Sequence, residues 1–157
     1  MRARRIKSAA GFLLLLAIVA GCRTAPPLPP ADFSAPGWRV QQGQAVWKPS
    51  ARRAEFAGEL LLATNANGNF FIQFSKMPFT LATAQKSGGE WRIEFGAGKY
   101  SRRGHGAPPE RFVWFQLPRV LLDAHPGGDW KITRAETNSW RLKNPRTGEI
   151  LDGELFP

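Results

Sequence analysis

Residues 69–75 read Asn-Phe-Phe-Ile-Gln-Phe-Ser, which sets Phe70, Ile72 and Phe74 two apart along the chain. Strict alternation marks a half-buried strand, because successive side chains of an extended chain point to opposite faces. Just upstream, Asn65-Ala66-Asn67-Gly68 offers residues that tolerate positive φ, a turn signal, and Phe56 to Ala63 reads as the strand before it. Downstream, Phe79 to Ala84 suggests another strand. Ser87-Gly88-Gly89 then turns into Glu90 to Phe95, where Trp91, Ile93 and Phe95 alternate with Arg92 and Glu94. Further out, Trp38, Val40 and Ala45 to Trp47 suggest a first strand. Trp130 to Thr133, Trp140 to Lys143 and Glu149 to Phe156 suggest the last three, with Asn144-Pro145-Arg146-Thr147-Gly148 as a hairpin loop. Glu110 to Ala124 is ambiguous: Phe112, Phe115 and Val120 suit one face of a helix, but Pro118 interrupts it. The pattern predicts about seven to eight short strands and no internal repeat. The expected fold class is mainly β: a curved antiparallel sheet or incomplete β-barrel with at most one or two short helices.

The N-terminus carries a different signal. Arg2, Arg4, Arg5 and Lys7 precede an apolar run from Ala9 to Ala20, which is short for a permanent membrane span but suits a secretion signal. It ends in Val19-Ala20-Gly21-Cys22, which resembles the lipobox of bacterial lipoproteins. The small residues suit the peptidase, and the cysteine sulfur is the site that takes diacylglycerol. The plain alternative is an ordinary helix with Cys22 as a buried thiol; the basic flank, the N-terminal position and the single cysteine argue against it. The expected organisation is therefore a signal peptide over 1–21, an acylated Cys22 with a Pro-rich linker over 22–37, and one β-rich domain over 38–157. Several acyl chains on one cysteine anchor stably where one holds only marginally. Enterobacterial lipoproteins with Asp at the next position tend to stay in the inner membrane, so with Arg23 there the resemblance implies the periplasmic face of the outer membrane.

Charge is read on the processed chain. The precursor has 22 basic and 12 acidic residues; without the four basic residues of the signal, 18 remain against 12, a net +6. Export removes such a chain from the nucleic acid of the cell, so anionic lipid or glycan is the expected partner of its basic surface. With the only cysteine acylated no intrachain disulfide forms, and stability rests on a core that six Trp and ten Phe can supply.

No motif assembles a catalytic site. Gly96-Ala97-Gly98-Lys99 lacks the third glycine of a dinucleotide fingerprint, since position 101 is Ser101, and Tyr100 stands where a phosphate loop needs Ser or Thr. A bend between strands is the expected reading. His105 and His125 sit in separate Gly/Pro-rich loops without zinc-ligand spacing, and Asp123 and Asp129 flank the latter as solvated residues. Glu90 and Glu94 share the wet face of a strand. The expectation is a non-enzyme without metal or cofactor.

Two features remain. Phe70, Phe74, Trp91, Phe95, Phe112, Trp114 and Phe115 would face inward in a curved sheet, either as a filled core or as the wall of a lipid-sized cavity. Lys99, Arg102, Arg103 and Arg111 cluster around a loop that would attract phosphate or carboxylate head groups beside such a mouth. The layout also resembles the outer-membrane lipoprotein receptor family of the lipoprotein-sorting pathway, LolB-like, and its LolA-like periplasmic relatives. The carriers are Cys22 before a Pro-rich spacer, Trp38, the run Phe56-Ala57-Gly58-Glu59-Leu60-Leu61-Leu62, and Leu117-Pro118-Arg119-Val120-Leu121-Leu122. The resemblance implies an incomplete barrel lidded by helices and non-catalytic capture of acyl chains. Members are commonly longer and richer in lid helix, and Lys76-Met77-Pro78-Phe79 is the nearest match to their exposed apolar loop. Two functions follow as expectations. One is binding of lipid or acylated protein, with Phe70, Phe74, Trp91 and Phe95 as wall and Lys99, Arg102 and Arg103 near the head groups. The other is a filled barrel serving as a scaffold for an envelope protein partner.

Overall fold

The computed structural model describes residues 28, 31–96, 98–122, 124–134 and 138–156. Cys22, the segment read as a signal peptide and half of the 22–37 segment lie outside the described residues. The elements run β1 (Trp38–Lys48), β2 (Phe56–Asn65), β3 (Phe70–Lys76), β4 (Phe79–Ser87), β5 (Glu90–Phe95), β6 (Tyr100–His105), α1 (Val113–Leu121), β7 (Lys131–Thr133), β8 (Ser139–Lys143) and β9 (Ile150–Phe156). The nine strands form one unclosed antiparallel sheet in the order β6-β5-β4-β3-β2-β1-β9-β8-β7. Among the described residues the fold is therefore mainly β with a single short helix.

The alternation at 69–75 sets the phase of the whole sheet. Phe70, Ile72 and Phe74 of β3 are buried, with Leu60 opposite Phe74 and Leu62 opposite Ile72 on β2. The same face continues through Ala82 and Ala84 of β4 to Ile93 of β5 in one direction. In the other it runs through Ala45 of β1 and Leu151 of β9 to Trp140 and Leu142 of β8. The sheet curls tightly toward this face. Trp47 on β1 and Phe95 on β5 stand four strands apart, about 19 Å on a flat sheet, yet their rings stack at 5.7 Å. Small residues permit the curl: a Cβ on Gly104 would meet the Trp91 ring at 2.6 Å, and one on Gly153 would meet Trp140 at 2.9 Å.

Two segments differ from the sequence reading. The Gly96–Lys99 bend, closed by Lys99 N–H donating to the Gly96 carbonyl at 3.3 Å, leads into a ninth strand, β6, that takes in Arg102, Arg103 and His105. Its polar composition hid it, because an edge strand without a repeating apolar face gives no periodic signal. The second is α1, which continues through Pro118. The ring removes one backbone donor, and the burial of Val113, Trp114, Phe115, Leu117, Pro118 and Val120 outweighs that loss. On the outer face, Phe33 packs against Trp38 at 5.6 Å and Phe71 at 5.3 Å, so packed structure begins ahead of β1. Among the described residues, all the buried apolar ones lie between Ala45 and Leu155. No helix among the described residues is long and apolar enough to cross a membrane.

Candidate functional site

Three of the four residues expected to form the wall, Phe70, Phe74 and Trp91, lie together on the concave face. They face α1. Trp114 lies on Phe74 at 5.3 Å and edge-on to Trp47 at 5.3 Å, while Phe115 meets Phe70 at 6.0 Å and Trp91 at 5.6 Å. Phe74 is 0% exposed and Trp114 1%. Along this stretch the place an acyl chain would take is held by the protein's own helix.

The helix is fastened by polar groups at its flanks rather than by a side-chain N-cap, which it lacks. Gln116, buried in the core, donates from Nε2 to the Glu110 carbonyl at 3.0 Å and accepts at Oε1 from the Gly127 N–H at 2.7 Å. Trp130 Nε1 donates to the same Glu110 carbonyl at 2.7 Å, and Arg134 donates to the Val120 carbonyl at the other end. Gln116 and the Trp130 indole would otherwise be buried without a partner and Arg134 adds a tie at the far end, so the loops on both sides of α1 hold it against the sheet.

Phe95, the fourth wall residue, stands at a half-open mouth. Trp47 stacks on it, Tyr100 lies at 5.8 Å and Phe112 at 6.2 Å. Two guanidiniums cover rings here, Arg102 over Tyr100 at 5.5 Å and Arg111 over Phe112 at 4.8 Å. The expected head-group cluster is divided. Arg102 pairs with Ile93 on the concave side, whereas Arg103 pairs with Arg92 on the outer side, because neighbouring strand residues point to opposite faces. Lys99 is exposed in the bend nearby. Sequence reasoning missed Trp47 and Tyr100 as members of this mouth. Trp47 carried a signal as an aromatic ending the first apolar stretch; Tyr100 carried none.

Glu149 is the other residue that the sequence did not single out. Burial pushes its carboxyl up to about 7, although the hydrogen bond accepted from Trp47 Nε1 at 2.9 Å acts the other way. The folded protein thus keeps this proton until about pH 7, while an unfolded chain releases it near 4.5. A folded-state pKa that is raised means stability present below about pH 4.5 and lost as pH rises toward 7. The melting temperature should fall across that window. Glu149→Gln should flatten the dependence and raise stability at pH 8 by about 2 kcal/mol. An unchanged pH profile in thermal melts of this variant would remove the assignment.

Elsewhere the chemistry is sparse. A shallow hollow of about 580 Å³ on the outer face is bordered by Gln44, Glu59, Ser75, Asp152 and Glu154. Asp152 there is paired with Arg141. Glu90 and Glu94 lie on the outer face as expected of wet-face residues, with Arg92 bridging to Glu94 and His105 to Glu90 at 3.5 Å. Among the described residues no three His, Cys, Asp or Glu side chains are grouped to hold a metal ion. Compared with known protein families and with curated proteins, the sequence matches none.

Proposed function

We propose that the chain is a membrane-tethered bacterial envelope protein whose domain acts without catalysis, as a scaffold that presents its surface to an envelope partner. The filled concave face carries this reading: Trp114 and Phe115 occupy the space in front of Phe70, Phe74 and Trp91. The facing rings stand 5.3–6.0 Å apart, which leaves no room for an acyl chain between them and this wall. The tether rests on the sequence, through Val19-Ala20-Gly21-Cys22 and its basic flank, and Arg23 favours the outer membrane.

A second reading, LolB-like binding of lipid or an acylated protein, is favoured by one observation. The mouth at Trp47, Phe95, Tyr100 and Phe112 borders α1, a helix with no side-chain cap and a proline inside it. In that reading α1 is a displaceable plug, and Arg102 and Arg111 meet the head group.

Mass spectrometry of the protein purified from membranes tests both. Thioether-linked diacylglycerol on Cys22, absent from Cys22→Ala, is expected, and an unmodified Cys22 would sink the tether. With the covalent mass accounted for, a native spectrum without bound lipid supports the scaffold. A lipid adduct that Phe95→Ser weakens without unfolding the domain would replace it with the binding reading.

A further inference from the structure

The two ends of the sheet differ in chemistry. The antiparallel register places the β1–β2 loop, the β3–β4 turn and the β5–β6 bend at one end, where Trp47 pairs with Phe56, Lys76 with Phe79 and Phe95 with Tyr100. That end carries exposed Arg52, Arg53, Lys76 and Lys99. Among them stand Met77, 83% exposed, and Phe79, 67% exposed. The carboxylate of the β1–β2 loop, Glu55, is taken by Lys48 at 3.4 Å. At the opposite end, where the chain enters β1, the turns offer Asn65 and Asn67, the cations Arg39 and Lys86, the latter donating to the Gly68 carbonyl at 3.4 Å, and Glu90 with His105 at 3.5 Å.

Each half of this pattern is unfavourable in water alone. Like charges on adjacent loops repel, and two large apolar side chains at the tip of a turn keep their surface hydrated. One kind of surface relieves both: a layer of phosphates with hydrocarbon directly beneath it. A folded acidic protein would answer the four cations but would also need an apolar cleft matched to the projecting turn, whereas a bilayer supplies both layers without such a match. We propose that this loop-bearing end docks on an anionic phospholipid bilayer. Arg52, Arg53, Lys76 and Lys99 lie at the head-group phosphates, and Met77 and Phe79 enter the acyl boundary. The surface lies at the same end of the sheet as the mouth at Trp47, Phe95 and Tyr100 and shares Lys99 with it, but its exposed side chains do not need the concave face to be open.

The test uses the chain from Arg23 onward, which retains every apolar residue buried among those described and lacks Cys22, so that binding reports the domain alone. It is expected to sediment with phosphatidylglycerol-containing vesicles, to release as salt rises, and to ignore phosphatidylcholine vesicles. Each basic side chain near an anionic surface adds about fivefold to partitioning, so Arg52→Glu, Arg53→Glu and Lys99→Glu together should weaken binding by at least about 30-fold. Met77→Ser with Phe79→Ser should cost about 10-fold. Arg39→Glu with Lys86→Glu, at the opposite end, should leave binding little changed. No sedimentation with phosphatidylglycerol at low salt overturns the proposal, as does an equal loss from the opposite-end pair. Binding to soluble polyglutamate as tight as to vesicles, and indifferent to Met77 and Phe79, identifies an acidic protein partner and also overturns it.

Discussion

Gly43→Ala is expected to abolish cooperative unfolding or to lower the melting temperature by more than about 10 °C. A Cβ at position 43 would lie 1.9 Å from the Glu154 carbonyl oxygen and 2.9 Å from the Leu155 Cα. Both are backbone atoms of β9, so no side-chain rotation relieves the overlap and the strands must part. Their parting is not local. β9 is joined to the sheet on one side through β1 alone, and β8 and β7 follow it. Trp140, Leu142, Leu151 and Leu155 would therefore leave the core together. Gly89→Ala is the matched comparison, since a Cβ there meets nothing within 4 Å; its melt should be nearly unchanged. Thermal unfolding followed by circular dichroism measures both, and a Gly43→Ala protein that melts like the wild type would refute the close approach of β1 and β9.

Trp114→Ala should cost about 4 kcal/mol, the range for removing a large aromatic from a packed core. Trp114 is almost wholly buried and touches Trp47 and Phe74, each at 5.3 Å. Its indole N–H has no acceptor among the described residues, so Trp114→Phe forfeits packing volume but no hydrogen bond and should be much the milder change. The cavity left by alanine lies between the helix and the sheet and is lined by aromatic rings. Indole added to Trp114→Ala should therefore raise its melting temperature, because a ligand that binds only the folded state stabilises it. Chemical denaturation with and without indole checks this. A loss below about 1 kcal/mol would mean that α1 does not fill the concave face.

The strands were legible wherever one face is apolar and the other wet. Phe70, Ile72 and Phe74, and then Trp91 and Ile93, fall on the buried side that alternation predicts. The turn at Asn65–Gly68 is likewise where its residues indicate, with Gly68 at φ 73°. β6 was not legible, since Tyr-Ser-Arg-Arg-Gly-His alternates nothing apolar. Nor was the path of α1. Its sequence is apolar on most sides, which fits a buried helix and a buried strand alike, and Pro118 pointed away from a helix. The candidate site was half legible for the same reason. The wall residues declare themselves by period, but what stands in front of them depends on where an aperiodic segment crosses the sheet. Arg102 and Arg103 were adjacent in sequence and separated by the pleat. Glu149 acquires its raised pKa from tertiary burial that no local pattern records.

The first strand of this domain lies next to the last: Trp47 faces Leu151 across the β1–β9 pairing. A chain that emerges N-terminus first, from a ribosome or from a membrane pore, presents β1 long before its second partner exists. In that interval the strand has β2 on one side and an unpaired row of backbone donors and acceptors on the other, with Val40 and Val46 exposed along it. Completion waits for the C-terminal residues and for closure of a loop that spans nearly the whole domain, a topology that folds slowly. Until then the nascent sheet is a template for whatever extended chain is nearest. Losing β9 would therefore strip the middle of the sheet rather than trim its edge.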